Sequence, residues 1–192
     1  ARNETTLPRV ASTGKRRAYA SGEGLVAEGS VKETFMADRR YWLFKSEPTA
    51  YSFADLLAEE NQTAEWDGVR NYQVRNYMRD DMRVGDGVLF YHSSAKPMAV
   101  IGLAHVVREG YPDSTSWDPA EKHYDPKSSP DNPIWMMVDI QADEQFARPV
   151  TLQEIKENPR LESMLLARRG MRLSVQPVTK EEWDEVISLG NG

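Results

Sequence analysis

Cysteine is absent from the 192 residues. Its absence excludes disulfides, thiolate nucleophiles and cysteine-based zinc sites, and it fits a reducing compartment. Histidine is scarce, with only His92, His105 and His123, well separated along the chain. No apolar run approaches the roughly 18 residues that a membrane helix needs, so a soluble protein without a membrane partner is expected. Internal repeats are missing, and so is a glycine-rich phosphate loop. Gly85-Asp86-Gly87 has neither the lysine nor the spacing of one. No serine sits in a nucleophile-elbow motif, which argues against acyl transfer. An excess of positive charge is lacking too. The net charge is −6, an awkward value for a protein that holds a duplex by its phosphates alone.

The charge that is present is uneven. Residues 1–40 hold eight Lys or Arg against five Asp or Glu, which leaves −9 on the other 152 residues of a chain whose total is −6. Residues 1–39 are rich in Gly, Ser, Thr and Ala and show no apolar periodicity. They read as a flexible basic N-terminal tail, with Gly14-Lys15-Arg16-Arg17 as its basic cluster. A localisation signal or a phosphate-gripping arm are the sharper readings of it. Met36-Ala37-Asp38 offers an alternative start. Residues 40–190 form the expected domain, and 40% hydrophobic residues suffice for a sizeable core.

Within that domain, Tyr41-Trp42-Leu43-Phe44 reads as a buried strand. Ser52 with Asp55 opens a short helix, and the pattern predicts a second helix over Asn71–Asp81. On it, Arg75, Arg79 and Arg83 fall at four-residue spacing, either a solvated face or a strip toward phosphates. Val88–His92 and Met98–Val107 read as a hairpin-like pair, the second strand interrupted by a bulge at Gly102. Tyr111–Pro133 is a long loop carrying five prolines. Ile134–Ile140 and Met171–Val175 complete about five strands. Thr151-Leu152-Gln153-Glu154 and Thr179-Lys180-Glu181-Glu182 are capping boxes that start two further helices. The last helix buries Trp183, Val186 and Ile187 and stops at Gly190. The expected class is α+β, with a mainly antiparallel sheet flanked by short helices.

The stretch from Trp66 to Asn76 packs one tryptophan, one glycine, two arginines, two asparagines and one glutamine into eleven positions. Such residues are costly to bury unless something satisfies them. Arginine and asparagine are also the side chains that most often read phosphates and base edges. With a flat aromatic beside them, Trp66, Gly68, Val69, Arg70, Asn71, Gln73 and Arg75 read as the wall of a pocket for a planar polar ligand. Glu47 sits at a strand end beside a proline, where a carboxylate can accept from an exocyclic amine. His92 and Ser93 end another strand. The alternatives there are a structural histidine and a general base. Trp117, on the long loop, could close over a stacked base. Arg168-Arg169-Gly170-Met171-Arg172 is either a basic segment end or a set of phosphate contacts. No metal motif matches the spacing of the Asp and His residues.

Five segments, taken in order, resemble the EVE domain: Trp42-Leu43-Phe44-Lys45-Ser46-Glu47-Pro48, Trp66-Asp67-Gly68-Val69-Arg70-Asn71-Tyr72-Gln73, Phe90-Tyr91-His92-Ser93, Tyr111-Pro112-Asp113 and Arg172-Leu173-Ser174-Val175-Gln176-Pro177-Val178. The resemblance covers about Tyr41 to Leu189. It implies a PUA-like small β-barrel flanked by helices, in a superfamily that includes YTH and SRA-like readers of modified bases. It further implies a non-enzymatic reader of methylated or hydroxymethylated cytosine, with DNA favoured over RNA as partner. No cofactor, a monomeric form and a nuclear location go with that expectation. The implied pocket uses Lys45, Ser46 and Glu47, then Val69, Arg70 and Asn71, then His92 and Ser93. Arg70 stands where YTH domains place a cage tryptophan, so Trp66 or Trp117 would supply that wall. The rival expectations are an RNA- or nucleotide-processing enzyme with His92 as base, and a protein-interaction module built on the long loop.

Overall fold

The computed structural model describes residues 39–192. The tail expected over residues 1–39 lies outside the described residues, Arg39 excepted. Strands β1 (Tyr41–Ser46) and β3 (Gly87–His92) alternate with period two. Trp42, Phe44, Val88 and Phe90 enter one core, while Tyr41, Leu43, Leu89 and Tyr91 enter a second core on the opposite face. A strand covered on both faces therefore reads as an unbroken apolar run. Each such side chain, once buried, contributes about 1.5–3 kcal/mol.

Helices cover both faces. Helix α1 (Phe53–Ala58) closes the first core with Phe53 and Leu56, and α2 (Tyr72–Asn76) adds Val74. Helix α3 (Leu152–Glu157) brings Ile155 to the second core, and α4 (Lys180–Gly190) brings Trp183 and Val186. Three of the four start as predicted, with Ser52/Asp55, Thr151/Glu154 and Thr179/Glu182 forming reciprocal capping boxes.

The sheet has six strands in the order β2-β5-β4-β3-β1-β6, with β2 at Thr63–Trp66, β4 at Ala99–Pro112, β5 at Met136–Thr151 and β6 at Val175–Val178. Only β1 and β3 run parallel, and the other neighbours are antiparallel. The class is the expected one, but the sheet is open and not a closed barrel. Strands β2 and β6, four residues each, end it on either side. Pro177 in β6 has no N–H to extend pairing outward.

Other expectations need correction. Strand β5 runs 16 residues, far beyond Ile140, because β4 pairs with it along almost its whole length. Met171–Ser174 is not strand, and only Val175 onward pairs with β1. The segment read as one helix over Asn71–Asp81 is α2 followed by a π turn, Tyr77–Asp81. The wider turn breaks the arginine spacing. Arg75 bonds the Ile134 carbonyl, Arg79 pairs with Asp80, and Arg83 reaches the Met82 and Asp80 carbonyls. The bulge near Gly102 is present, with the register shifting on both sides of Ile101. A Cβ on Gly102 would meet the Glu144 carbonyl oxygen at 2.5 Å, so no larger residue fits there.

Candidate functional site

Because β1 and β3 are parallel, their C-terminal ends lie side by side, with Ser46 opposite His92. The Ser93 N–H and hydroxyl both donate to the Ser46 carbonyl, and the Ser46 hydroxyl donates to the Tyr51 carbonyl at 2.6 Å. The Lys45 N–H donates to the Ser174 carbonyl. Beyond this rim opens a recess of about 890 Å³, in contact with solvent. Its size falls in the range of small-molecule sites, about 300–1,000 Å³. One wall is the end of β1 with Tyr51. The opposite wall is β2 running into Asp67–Arg70, and Lys122 and His123 of the long loop close a third side.

Seven of the residues predicted for a site line this recess: Lys45, Ser46, Glu47, Trp66, Gly68, Val69 and Arg70. Asn71, Gln73, Arg75, His92, Ser93 and Trp117 lie outside its lining. Trp66 is half-buried, its ring 5.1 Å from Phe44 and 5.5 Å edge-on to Phe90. Its strand, β2, holds it there by pairing Trp66 with Val138. Burial lowers the Lys45 pKa from the ordinary lysine value. Glu47 accepts from the Ser94 hydroxyl at 3.0 Å.

Gly68 takes φ +70°, and a Cβ there would lie 2.5 Å from His123 Nδ1. Glycine is thus needed both for the turn and for the close approach of the loop. The Gly68 N–H donates to Asp113 Oδ2 at 3.1 Å. Arg70 does not project into solvent as a phosphate ligand would. Its Nη1 meets Asp113 Oδ2 at 2.6 Å, and its Nε donates to the His123 carbonyl at 2.6 Å. Thr115 donates to Asp113 Oδ1 with both its N–H and its hydroxyl. Burial alone would raise the pKa of Asp113, whose side chain is 0% exposed. The Arg70 and Thr115 donors outweigh burial and hold the carboxyl below its usual range. This cluster fastens the long loop to the glycine turn.

The residues outside the recess also have structural partners. Asn71 Oδ1 caps α2, accepting from the Gln73 and Val74 N–H groups. Gln73 donates to the Tyr77 hydroxyl. The Trp117 indole N–H donates to the Ser128 hydroxyl at 3.2 Å, within the loop. His92 Nε2 accepts the Phe53 N–H at 3.1 Å, which places its proton on Nδ1. Burial lowers its pKa, with Asp55 pulling the other way. Its one lone pair is therefore engaged in the entry to α1 and is not available to a base role.

Sequence reasoning missed Tyr51, Asp67, His123 and Ser174 as lining residues. The Tyr51 hydroxyl is buried without a hydrogen-bond partner among the described residues. Burial and the neighbouring Glu59 carboxylate push it up to about 12. Asp67 is solvent-exposed as a residue, yet partial desolvation and the charge of Asp113 raise the pKa of its carboxyl. Tyr51 and Asp67 both belong to the lining of the recess.

The EVE domain model matches residues 40–189. Thymocyte nuclear protein 1 of Danio rerio is 41% identical over 196 residues, spanning 93% of this chain and 84% of that protein. The Mus musculus thymocyte nuclear protein 1 is 44% identical over 166 residues, 78% of this chain and 73% of that one. The DUF55 domain of human thymocyte nuclear protein 1 superposes with a TM-score of 0.74 at 42% identity, covering 78% of this chain and 98% of that chain. Human THYN1 protein in complex with 5-methylcytosine containing DNA superposes with a TM-score of 0.75 at 42% identity, covering 80% and 98%. With its motifs in order, its open six-stranded sheet and a match across the whole described body, the chain belongs to the EVE domain family.

Proposed function

We propose that this protein is a non-enzymatic reader of a modified cytosine in DNA, and that the base enters the recess at the end of β1. The observation that carries the reading is the likeness to the human THYN1 structure bound to 5-methylcytosine containing DNA. The lining residues support it. Cytosine presents an N4 amine that needs an acceptor. Asp67 and Glu47, both in the lining, offer two. Trp66 supplies an aromatic edge. Drawing a base out of the stack costs a few kcal/mol, offset by stacking and by those hydrogen bonds. The relatives' name, thymocyte nuclear protein 1, supports a nuclear location, which fractionation of cells would check.

Burial of one methyl group adds only about 0.8 kcal/mol, so the expected preference for 5-methylcytosine over cytosine is about four- to tenfold. Titration of matched oligonucleotides at a fixed salt concentration measures it. Asp67→Asn keeps size and Trp66→Phe keeps an aromatic ring, thermal melting checks that each folds, and each is expected to reduce both affinity and preference. Equal affinity for the two oligonucleotides in the parent protein refutes the reading. Unchanged preference in both variants removes this recess as its location.

A further inference from the structure

A second hollow lies across Lys45 from the recess. It has a volume of about 550 Å³ and runs from the end of β3 to residues 168–172. Lys45, Lys156, Arg168, Arg169 and Arg172 line it, and no Asp or Glu does. That is unexpected in a chain of net charge −6. The neighbouring recess is mixed, with Glu47, Glu59, Glu65 and Asp67 beside Lys45, Arg70 and Lys122 in its lining. Among the described residues, none of the five cations forms an ion pair. Lys45 Nζ and Arg168 Nη2 touch only the Met171 and Ser163 carbonyls, each at 3.3 Å, which leaves their charge uncompensated. Lys156, Arg168, Arg169 and Arg172 are exposed, and Tyr91, Met98 and Leu166 give the hollow an apolar floor.

Five like charges converging without a counter-charge repel one another, and a polyanion relieves that repulsion. We infer that this groove holds the phosphodiester backbone of the strand whose modified base enters the recess, so that the strand leaves past Lys45 toward Arg169 and Arg172. The inference rests on the reader function above. It adds a direction: the recess lining holds four carboxylates among its cations, while the groove lining holds cations and no carboxylate and so draws the phosphates in. Sugar carbons lie against the apolar floor while the phosphates meet the guanidinium groups.

The test is a salt series with the double variant Arg169→Gln/Arg172→Gln, using 5-methylcytosine and plain oligonucleotides of one sequence. Both side chains are exposed, and thermal melting checks that the variant folds as the parent does. Each lost phosphate contact lowers the slope of log affinity against log salt by about 0.7 on single strands and about 0.9 on duplex. The parent is therefore expected to lose about tenfold more affinity than the variant between about 50 and 200 mM salt, with the preference for the modified base unchanged. An unchanged slope overturns the inference. So does a lost preference at unchanged slope, which would make the groove part of base reading. A parent that shows no preference while the variant still loses slope refutes the reader function and leaves the phosphate groove standing.

Discussion

Replacing Asp113 by alanine removes four hydrogen bonds at once: from Gly68, from Arg70, and two from Thr115. It also strands the Arg70 guanidinium beside a newly apolar position. Breaking a buried pair by deleting one partner costs about 3–5 kcal/mol. The Arg70 side chain is 21% exposed and keeps some water, so the lower end applies. A loss of about 3 kcal/mol is expected for Asp113→Ala, and about half of it for Asp113→Asn, which keeps the shape and an acceptor oxygen. Urea unfolding reads this directly. With a slope of about 2 kcal/mol per molar, the midpoint falls by about 1.5 M at unchanged slope. The pH dependence gives a second reading. The folded pKa of Asp113 lies below its unfolded value, so its contribution is full above about pH 4 and is lost as pH falls through the folded value. Asp113→Asn should lack that acid-side loss. An unfolding free energy within about 0.5 kcal/mol of the parent's for Asp113→Ala would refute the view that this carboxylate fastens the loop to the glycine turn.

Two shorter predictions probe neighbouring features. Gly68→Ala meets both the φ of +70° and the His123 ring at 2.5 Å, so a loss of at least about 1–2 kcal/mol in thermal unfolding is expected, together with weaker binding of the modified oligonucleotide. His92→Ala leaves the Phe53 N–H without its partner and should cost about 1 kcal/mol, while neither parent nor variant converts a labelled modified oligonucleotide. Because burial lowers the His92 pKa in the folded state, its stabilisation is present above the ordinary value of about 6.5 and is lost as pH falls through the folded value. Denaturation midpoints of the variant should accordingly vary less than the parent's between about pH 7 and pH 5.

The sequence shows local structure most clearly where short-range chemistry decides. The three capping boxes need only residues three apart, and β1 and β3 declare themselves through runs of large apolar side chains. Strand β2 was not legible, since Thr63-Ala64-Glu65-Trp66 is short and half-exposed and owes its form to pairing with β5. Arg70 shows the same limit at the site. As a residue type beside an asparagine it looks like a phosphate ligand, but its partner Asp113 lies 43 positions away. Asn71 reads as base-edge recognition, yet its oxygen is a helix cap. His123 was legible only in hindsight: the glycine before Val69 marks a close approach, but nothing in the sequence names the loop residue that makes it.

The first strand of the domain is flanked on its outer side by the last. Strand β6 covers the open edge of β1, and Ser174, just before it, both accepts from Lys45 and lines the recess. During synthesis the ribosome must therefore deliver almost the entire domain before the rim around Lys45 can take shape. A chain truncated ahead of Val175 would have an unpaired edge at β1, exposed to intermolecular strand pairing, and would leave Ser174 without the strand that holds it at the rim.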